Sequence, residues 1–350
     1  MAKRRVKLED ETAYDKLRKE DNLYFTSEKE KLEFTSSGCG LLDNVLSGGY
    51  VLGRMINIVG DKSTAKTALA TEGLTNFCMD YPKGKAAYRE TEEAYDMDYA
   101  QAMGAPVDDI DFGDPDAPIT TIEAFARDLE RFCDDCIKDD VPGMYVLDSY
   151  DGLSDEKELE REIGDATYGM AKAKMASELF RKLTKKIGKA RVCLVIVSQV
   201  RDNINVSFGE KHRRAGGKAL DFYATHILWL SHKEQLKRTI RGVERVYGIG
   251  IKALCKKNKV GFPFRSCDMD FIFGYGIDDL GASLDWLKSI KRLKAADIPA
   301  EKKEFTQYRD ALNDMSDKEF DRETRRVNKV VRRLWNEIED EFIPKRRKYG

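Results

Sequence analysis

The sequence predicts an α/β fold: a central, mostly parallel sheet finishing in an antiparallel extension, with an N-terminal arm and a small C-terminal helical region. Three observations carry this expectation. Between about residues 35 and 277, short β-branched runs alternate with stretches of helical periodicity, so that strand, loop and helix recur in turn. Three of these runs, 55–59, 144–147 and 192–197, are apolar throughout, as strands covered on both faces are. The last three strand candidates follow one another with only short turns between them, which suits antiparallel pairing and not a parallel crossover.

Residues 1–34 are dense in charge with scattered aromatics (Tyr14, Tyr24, Phe25, Phe34) and read as an arm or assembly segment that cannot bury a core alone. The core is expected over 35–293. Its strands are MINIVG (55–60), KAAYRE (85–90), MYVLDS (144–149), VCLVIVS (192–198), THILWL (225–230), YGIGIKALCK (247–256) and FRSCDMDFIF (264–273). Its helices fall at 66–80, 92–103, 121–138 and 166–189. From 294 to 350 the chain is helical and highly charged. There Val327, Val331, Leu334, Ile338 and Phe342 recur at helical spacing before the basic run Lys345-Arg346-Arg347-Lys348.

The chain has 350 residues with 61 Lys+Arg against 62 Asp+Glu, so any nucleic-acid site is a local patch and not a whole-protein field. With 41% hydrophobic residues a disordered chain is excluded. No apolar run approaches the roughly 20 residues that span a bilayer, and the start MAKRRVKLEDE lacks a signal peptide's apolar stretch, so a cytoplasmic protein is expected. Seven cysteines, odd in number and set in apolar or helical runs, suit reduced thiols. Cys133-x-x-Cys136 lies in a helix-like stretch among aspartates with no second ligand pair, and reads as one buried and one surface thiol rather than a zinc site.

The sharpest motif is Gly60-Asp61-Lys62-Ser63-Thr64-Ala65-Lys66-Thr67, directly after MINIV and before the helix KTALATEGLTNFCMD. It fits the phosphate-binding template G-x-x-x-x-G-K-[ST], with Ala65 in place of the second glycine. In such a loop the backbone N–H groups, on through Ala68, cradle phosphate oxygens. Lys66 reaches the β- and γ-phosphates and the Thr67 hydroxyl helps hold Mg²⁺. Ala65 carries a Cβ where the glycine would supply a special backbone conformation or a close approach.

Three further strand ends complete the set. MYVLD ends in Asp148, which in this context joins the Mg²⁺ shell. KAAYR runs into Glu90-Thr91-Glu92-Glu93, where one carboxylate orients the water attacking the γ-phosphate, and Glu90, Glu92 and Glu93 compete for that role. VCLVIV ends in Ser198-Gln199, and a glutamine there reports on the γ-phosphate or its water. Lys/Thr, Glu, Asp and Gln at four strand ends are the inventory of a nucleotide hydrolase.

Over about Thr35 to Leu284 the sequence resembles the RecA family of DNA recombinases, most closely the RecA-like recombination proteins of bacteriophages. The resemblance lies in SSGCGLLDNVLSGGYVLGRMINIVGDKSTAKT leading into the P-loop, YRETEEAYDMDYAQAMG, VLDSYDGL, EREIGDATYG, SQVRDNINVSFGEKHRRAGGKALDFYAT, KKNKVGFPF and FIFGYGIDDLG. It implies a RecA-like P-loop NTPase core in which Glu92 activates the hydrolytic water, with Lys66 and Gln199 beside it. It likewise implies that Tyr99 stacks on adenine, that Gln199 couples the γ-phosphate to a DNA loop, and that Lys257 and Lys259 reach the ATP of the neighbouring subunit. EREIGDATYG corresponds to the first DNA loop, with Lys174 and Arg181 as helix-borne backbone contacts. The second loop is locally basic, with Arg201, Lys211, Arg213, Arg214 and Lys218, freedom from Gly216 and Gly217, and Phe208 to pack on nucleotides.

The resemblance implies an ATP- and Mg²⁺-dependent protein that self-associates into a helical filament on single-stranded DNA and exchanges strands with double-stranded DNA. Loader or single-strand-binding proteins are its further expected partners, and host cytoplasm the place of a bacteriophage member. Two alternatives keep the same core: a hexameric DNA helicase, and a non-hydrolysing DNA-coating protein.

Overall fold

The computed structural model of the chain describes residues 32–92, 95–156, 169–202, 212–214, 217–346 and 348. The chain divides into two units, Met1–Glu33 and Phe34–Gly350. Of the first only Leu32 and Glu33 are described, and they carry no regular element.

In the second unit a short pair, β1 (Phe34–Thr35) and β2 (Tyr50–Val51), brackets α1 (Gly40–Val45). The core proceeds through β3 (Met55–Gly60), α2 (Lys66–Asp80), β4 (Lys85–Glu90), α3 (Met97–Ala102), β5 (Ile110–Asp111), α4 (Ile122–Asp139), β6 (Gly143–Asp148), α5 (Gly169–Lys189) and β7 (Val192–Asp202). Then come β8 (His212–Arg214), α6 (Gly217–Tyr223), β9 (His226–Ile240), β10 (Val243–Asn258), β11 (Arg265–Ile272), β12 (Gly276–Ile277), α7 (Asp279–Ser289), α8 (Lys302–Leu312) and α9 (Asp317–Phe342).

Among the described residues, ten strands form one sheet in the order β12-β11-β10-β9-β3-β7-β6-β4-β5, with β8 paired to β7. From β9 to β5 every pairing is parallel; from β9 to β12 every pairing is antiparallel. This is the expected α/β architecture, and β3, β6 and β7 are the buried central strands. Their alternate residues feed two apolar layers. Ile56, Ile58, Val146 and Val195 face a cluster with Leu69, Leu74 and Phe77 of α2, whereas Val59, Tyr145, Leu194 and Ile196 face one with Phe125 and Leu129 of α4 and Phe180 and Leu183 of α5. A sheet covered on both sides leaves its strand ends as the place for a ligand.

Three sequence expectations change. β9 and β10 run well beyond 225–230 and 247–256, to Ile240 and back from Val243, because their outer halves form an exposed two-stranded ribbon without an apolar run. The helix expected at 92–103 is confined to Met97–Ala102, where the Asp96 side chain caps the Tyr99 N–H. Cys133 and Cys136 are both buried, since α4 sets them three residues apart on the face it turns to the sheet, and burial pushes both thiols up to about 12.

The C-terminal helices pack on the same core. Val327 and Val331 of α9 are fully buried, while Phe342, the last residue of that apolar series, is 74% exposed. Polar contacts fix the helix in register. Asn328 Nδ2 donates to Asp279 Oδ2 at 2.7 Å, Gly40 N–H donates to the other oxygen at 2.7 Å, and Arg265 grips Glu339 with two nitrogens. Burial raises the Asp279 carboxyl to about 6. Among the described residues, no helix is long and apolar enough to cross a membrane.

Candidate functional site

Strand pairing brings the predicted residues to one edge. Gly60 lies beside Gln199 in the β3–β7 register, and Glu90 beside Asp148 in the β4–β6 register. Between β3 and α2 the loop folds on itself. The Asp61 carbonyl accepts from Thr64 Oγ1 at 2.8 Å and from Lys66 Nζ at 2.7 Å. A Cβ on Gly60 would meet Thr64 Oγ1 at 2.5 Å, so the loop's first glycine is required by close approach. Ala65 sits at φ 57°, ψ 32°, the left-handed conformation that its missing glycine would adopt without strain.

Lys66 is buried, and desolvation lowers its pKa against the pull of Asp148 and Asp61. Thr67 Oγ1 donates to Asp148 Oδ2 at 2.6 Å, and the Tyr88 hydroxyl donates to the same oxygen at 2.8 Å. Burial raises the Asp148 carboxyl, and these two hydrogen bonds oppose the shift.

Of the three competing glutamates, Glu92 reaches the other strand ends with its side chain. Its Oε1 accepts from Gln199 Nε2 at 2.9 Å and from Ser149 Oγ at 3.0 Å. Glu90 instead accepts the Glu92 N–H at 2.8 Å, and Glu93 lies outside the described residues. Gln199 is held in turn, its N–H donating to Asp151 Oδ2 at 2.8 Å.

A cavity of about 470 Å³ opens beside the loop, lined by Ser63 to Ala68 and, across from them, by Tyr95, Asp96, Tyr99, Met103, Ile249, Phe271 and Phe273. It takes in Tyr99, whose hydroxyl accepts from the Gly274 N–H at 3.0 Å. Gly60, Asp61, Lys62 and Asp148 lie outside its lining, and Asp61 and Asp148 hold the lining residues Lys66 and Thr67 by hydrogen bonds. Sequence reasoning missed Tyr95, Ser149, Ile249, Phe271 and Phe273. Ile249 and Phe271 come from strands far along the chain and Phe273 directly follows β11; Phe271 and Phe273 lie in the block FIFGYGIDDLG, which by itself points to no ligand, whereas Ser149 directly follows Asp148 and was open to suspicion.

Lys257 and Lys259 are not brought to this cavity. Lys259 Nζ donates to the Phe222 carbonyl at 3.0 Å, and Lys257 Nζ donates to the same carbonyl at 3.0 Å and to that of Asp221, so both cap the C-terminal end of α6. Lys174 and Arg181 are exposed on α5, two turns apart. In the basic segment, the backbone of Val200, Arg201 and Asp202 pairs antiparallel with Arg214, Arg213 and His212, so Gln199 and Arg201 share one strand. Gly217 and Lys218 open α6, and Phe208, Lys211 and Gly216 lie outside the described residues.

The model of the RecA N-terminal domain matches residues 16–278. The chain belongs to the RecA family. Its core is that of a RecA-type recombinase, a class of DNA-dependent ATPases. The match starts at residue 16, upstream of Thr35, where the resemblance read from the motifs begins. Protein RecA of Rippkaea orientalis is 34% identical over 255 residues, 73% of this chain and 69% of that protein. Protein RecA of Prochlorococcus marinus is 35% identical over 257 residues (73% and 64%), and that of Gloeobacter violaceus 34% over 255 residues (73% and 65%). The chain thus spans about two thirds of the length of these relatives.

Proposed function

We propose that this chain binds ATP at the strand ends, assembles into a filament on single-stranded DNA and pairs that DNA with a homologous duplex, with hydrolysis weakening the DNA-bound state. The observation that carries the reading is the hydrogen bond from Gln199 to Glu92. It joins the carboxylate to which we assign proton abstraction from water to the strand that continues into the basic segment, so nucleotide state and DNA contact bear on one side chain. Lys66 and the loop N–H groups bind phosphates, and Tyr99 and Phe273 supply aromatic faces for the base. Lys174, Arg181, Arg201, Phe208, Lys211, Arg213, Arg214 and Lys218, with the glycines 216 and 217, are assigned to DNA on charge and resemblance.

Thr67 and Asp148 offer only oxygen donors, 2.6 Å apart, which fits a hard divalent cation such as Mg²⁺ completed by phosphate oxygens and water. When bound, that ion neutralises charge on the phosphates. The Glu92 carboxylate acts as base at Oε2, with Oε1 already taken by Gln199 and Ser149. Lys257 and Lys259, pointing away from their own cavity, complete the site of an adjacent subunit. Kinship with bacteriophage members rests on the sequence blocks and forms part of this proposal, as do loader and single-strand-binding partners.

Glu92→Gln tests the assignment. The amide still accepts from Gln199 and Ser149 but takes no proton, so single-strand-stimulated ATPase should fall at least 100-fold while nucleotide and DNA binding persist. Undiminished turnover would remove Glu92 from the role. Filaments, not closed rings, in electron micrographs with ATP and single-stranded DNA would separate this reading from the helicase.

A further inference from the structure

One hydroxyl outside the phosphate loop acts on the same carboxylate, an inference that rests on the reading of Asp148 given above. Tyr88 lies within β4 and is fully buried. The register that sets Glu90 beside Asp148 sets Tyr88 beside Val146, two residues back on the same face of the sheet. From there its hydroxyl reaches forward to Asp148 Oδ2 at 2.8 Å, the oxygen that also accepts from Thr67 Oγ1 at 2.6 Å.

Two donors, one from a strand and one from the first turn of α2, thus converge on one oxygen. A carboxylate with a single donor can turn about its Cβ–Cγ bond, whereas two donors from independent elements set its plane. Thr67 uses its one proton on Asp148 and keeps its lone pairs as an oxygen ligand. The Tyr88 ring is itself held. It packs against Tyr95 at a tilt of 39° with centroids 4.3 Å apart and lies 6.1 Å from Phe112, and the Tyr95 hydroxyl shares a hydrogen bond with Thr71 Oγ1, one helical turn beyond Thr67. Phenylalanine would fill the same space, so what tyrosine adds at this position is the hydrogen bond to Asp148.

We propose that Tyr88 is a positioning residue that fixes the Asp148 carboxylate in the orientation at which, together with Thr67, it takes up a divalent cation beside the nucleotide. The test is Tyr88→Phe, which removes the hydroxyl and keeps the ring. Binding of a fluorescent ATP analogue to the full chain is followed by anisotropy across a Mg²⁺ titration and, separately, in EDTA. The Mg²⁺ concentration at half effect should rise roughly tenfold, with binding in EDTA and the melting temperature little changed. An unchanged Mg²⁺ midpoint overturns the proposal. So does an equal loss of binding with and without Mg²⁺, which would assign the hydroxyl to fold stability. Asp148→Asn separates the two layers of argument. If it too leaves the Mg²⁺ midpoint where it was, the placement of the metal at Asp148 fails. If it raises the midpoint and Tyr88→Phe does not, only the positioning role fails.

Discussion

Gln199 is one residue with three obligations: a main-chain place beside Gly60, an N–H given to Asp151, and a side-chain amide given to Glu92. Because the backbone bonds hold without the side chain, Gln199→Ala should leave the strand intact and cut only the link to Glu92. Glu92 would keep Ser149 as donor, so basal ATP hydrolysis should drop less than about tenfold while stimulation by single-stranded DNA largely disappears. Initial rates with and without DNA check this; a variant stimulated as strongly as the parent would show that the DNA segment signals by another route. Ala65 shows the opposite balance at a single residue. Its replacement of glycine was visible in the motif, and so was the question of backbone conformation. The left-handed φ of 57° then shows that the loop holds Ala65 in a conformation glycine favours, with the strain of a Cβ, of order 1 kcal/mol.

Among the elements, α2 links the phosphate loop to the far hairpin of the sheet through Glu72. Its carboxylate accepts the Ile277 N–H at 2.6 Å, in space left by Gly276, where a Cβ would stand 2.3 Å from it. Burial raises this carboxyl to about 8. The folded chain therefore holds a proton at Glu72 between about pH 4.5 and 8 that the unfolded chain releases, so this contribution to stability is full below that window and is lost as pH rises through it. Glu72→Gln keeps the acceptor and abolishes the titration. Urea unfolding at pH 5.5, 6.5 and 7.5 should show the parent losing up to about 1.4 kcal/mol per pH unit relative to the variant. Parallel curves would mean that Glu72 is ionised in the folded protein. None of this was legible from the sequence, where Glu72 is one more charge in a helix. The bounds of β3 and α2 were legible, because an all-apolar strand, a phosphate loop and a helical period adjoin within 26 residues. The extension of β9 and β10 was not, since exposed ribbon residues such as Lys237, Thr239 and Glu244 obey no burial pattern. The apolar wall of the cavity escaped for a related reason: Ile249 and Phe271 meet Tyr99 only through the order of strands in the sheet.

At the scale of the whole molecule, the near balance of 61 basic and 62 acidic residues is compatible with DNA binding because charge is segregated. Basic residues gather in 201–218, 256–259 and the terminal run, and acids in 90–116 and 133–165. The same segregation bears on catalysis. Lys257 and Lys259 converge on the carbonyls of Asp221 and Phe222, away from the cavity that holds Lys66 and Tyr99. If they serve the ATP of the next subunit, each active site is shared across a head-to-tail interface. Two differently damaged chains should then rescue one another. A Lys66→Ala chain keeps the lysines, and a Lys257→Ala/Lys259→Ala chain keeps the phosphate loop. Each alone should be inactive, but in an equimolar random filament about a quarter of the junctions unite an intact loop with intact lysines, so roughly a quarter of the parent ATPase should return. Rescue should rise with protein concentration as filaments form. A mixture no more active than either variant would return the two lysines to a purely local task, the capping of α6.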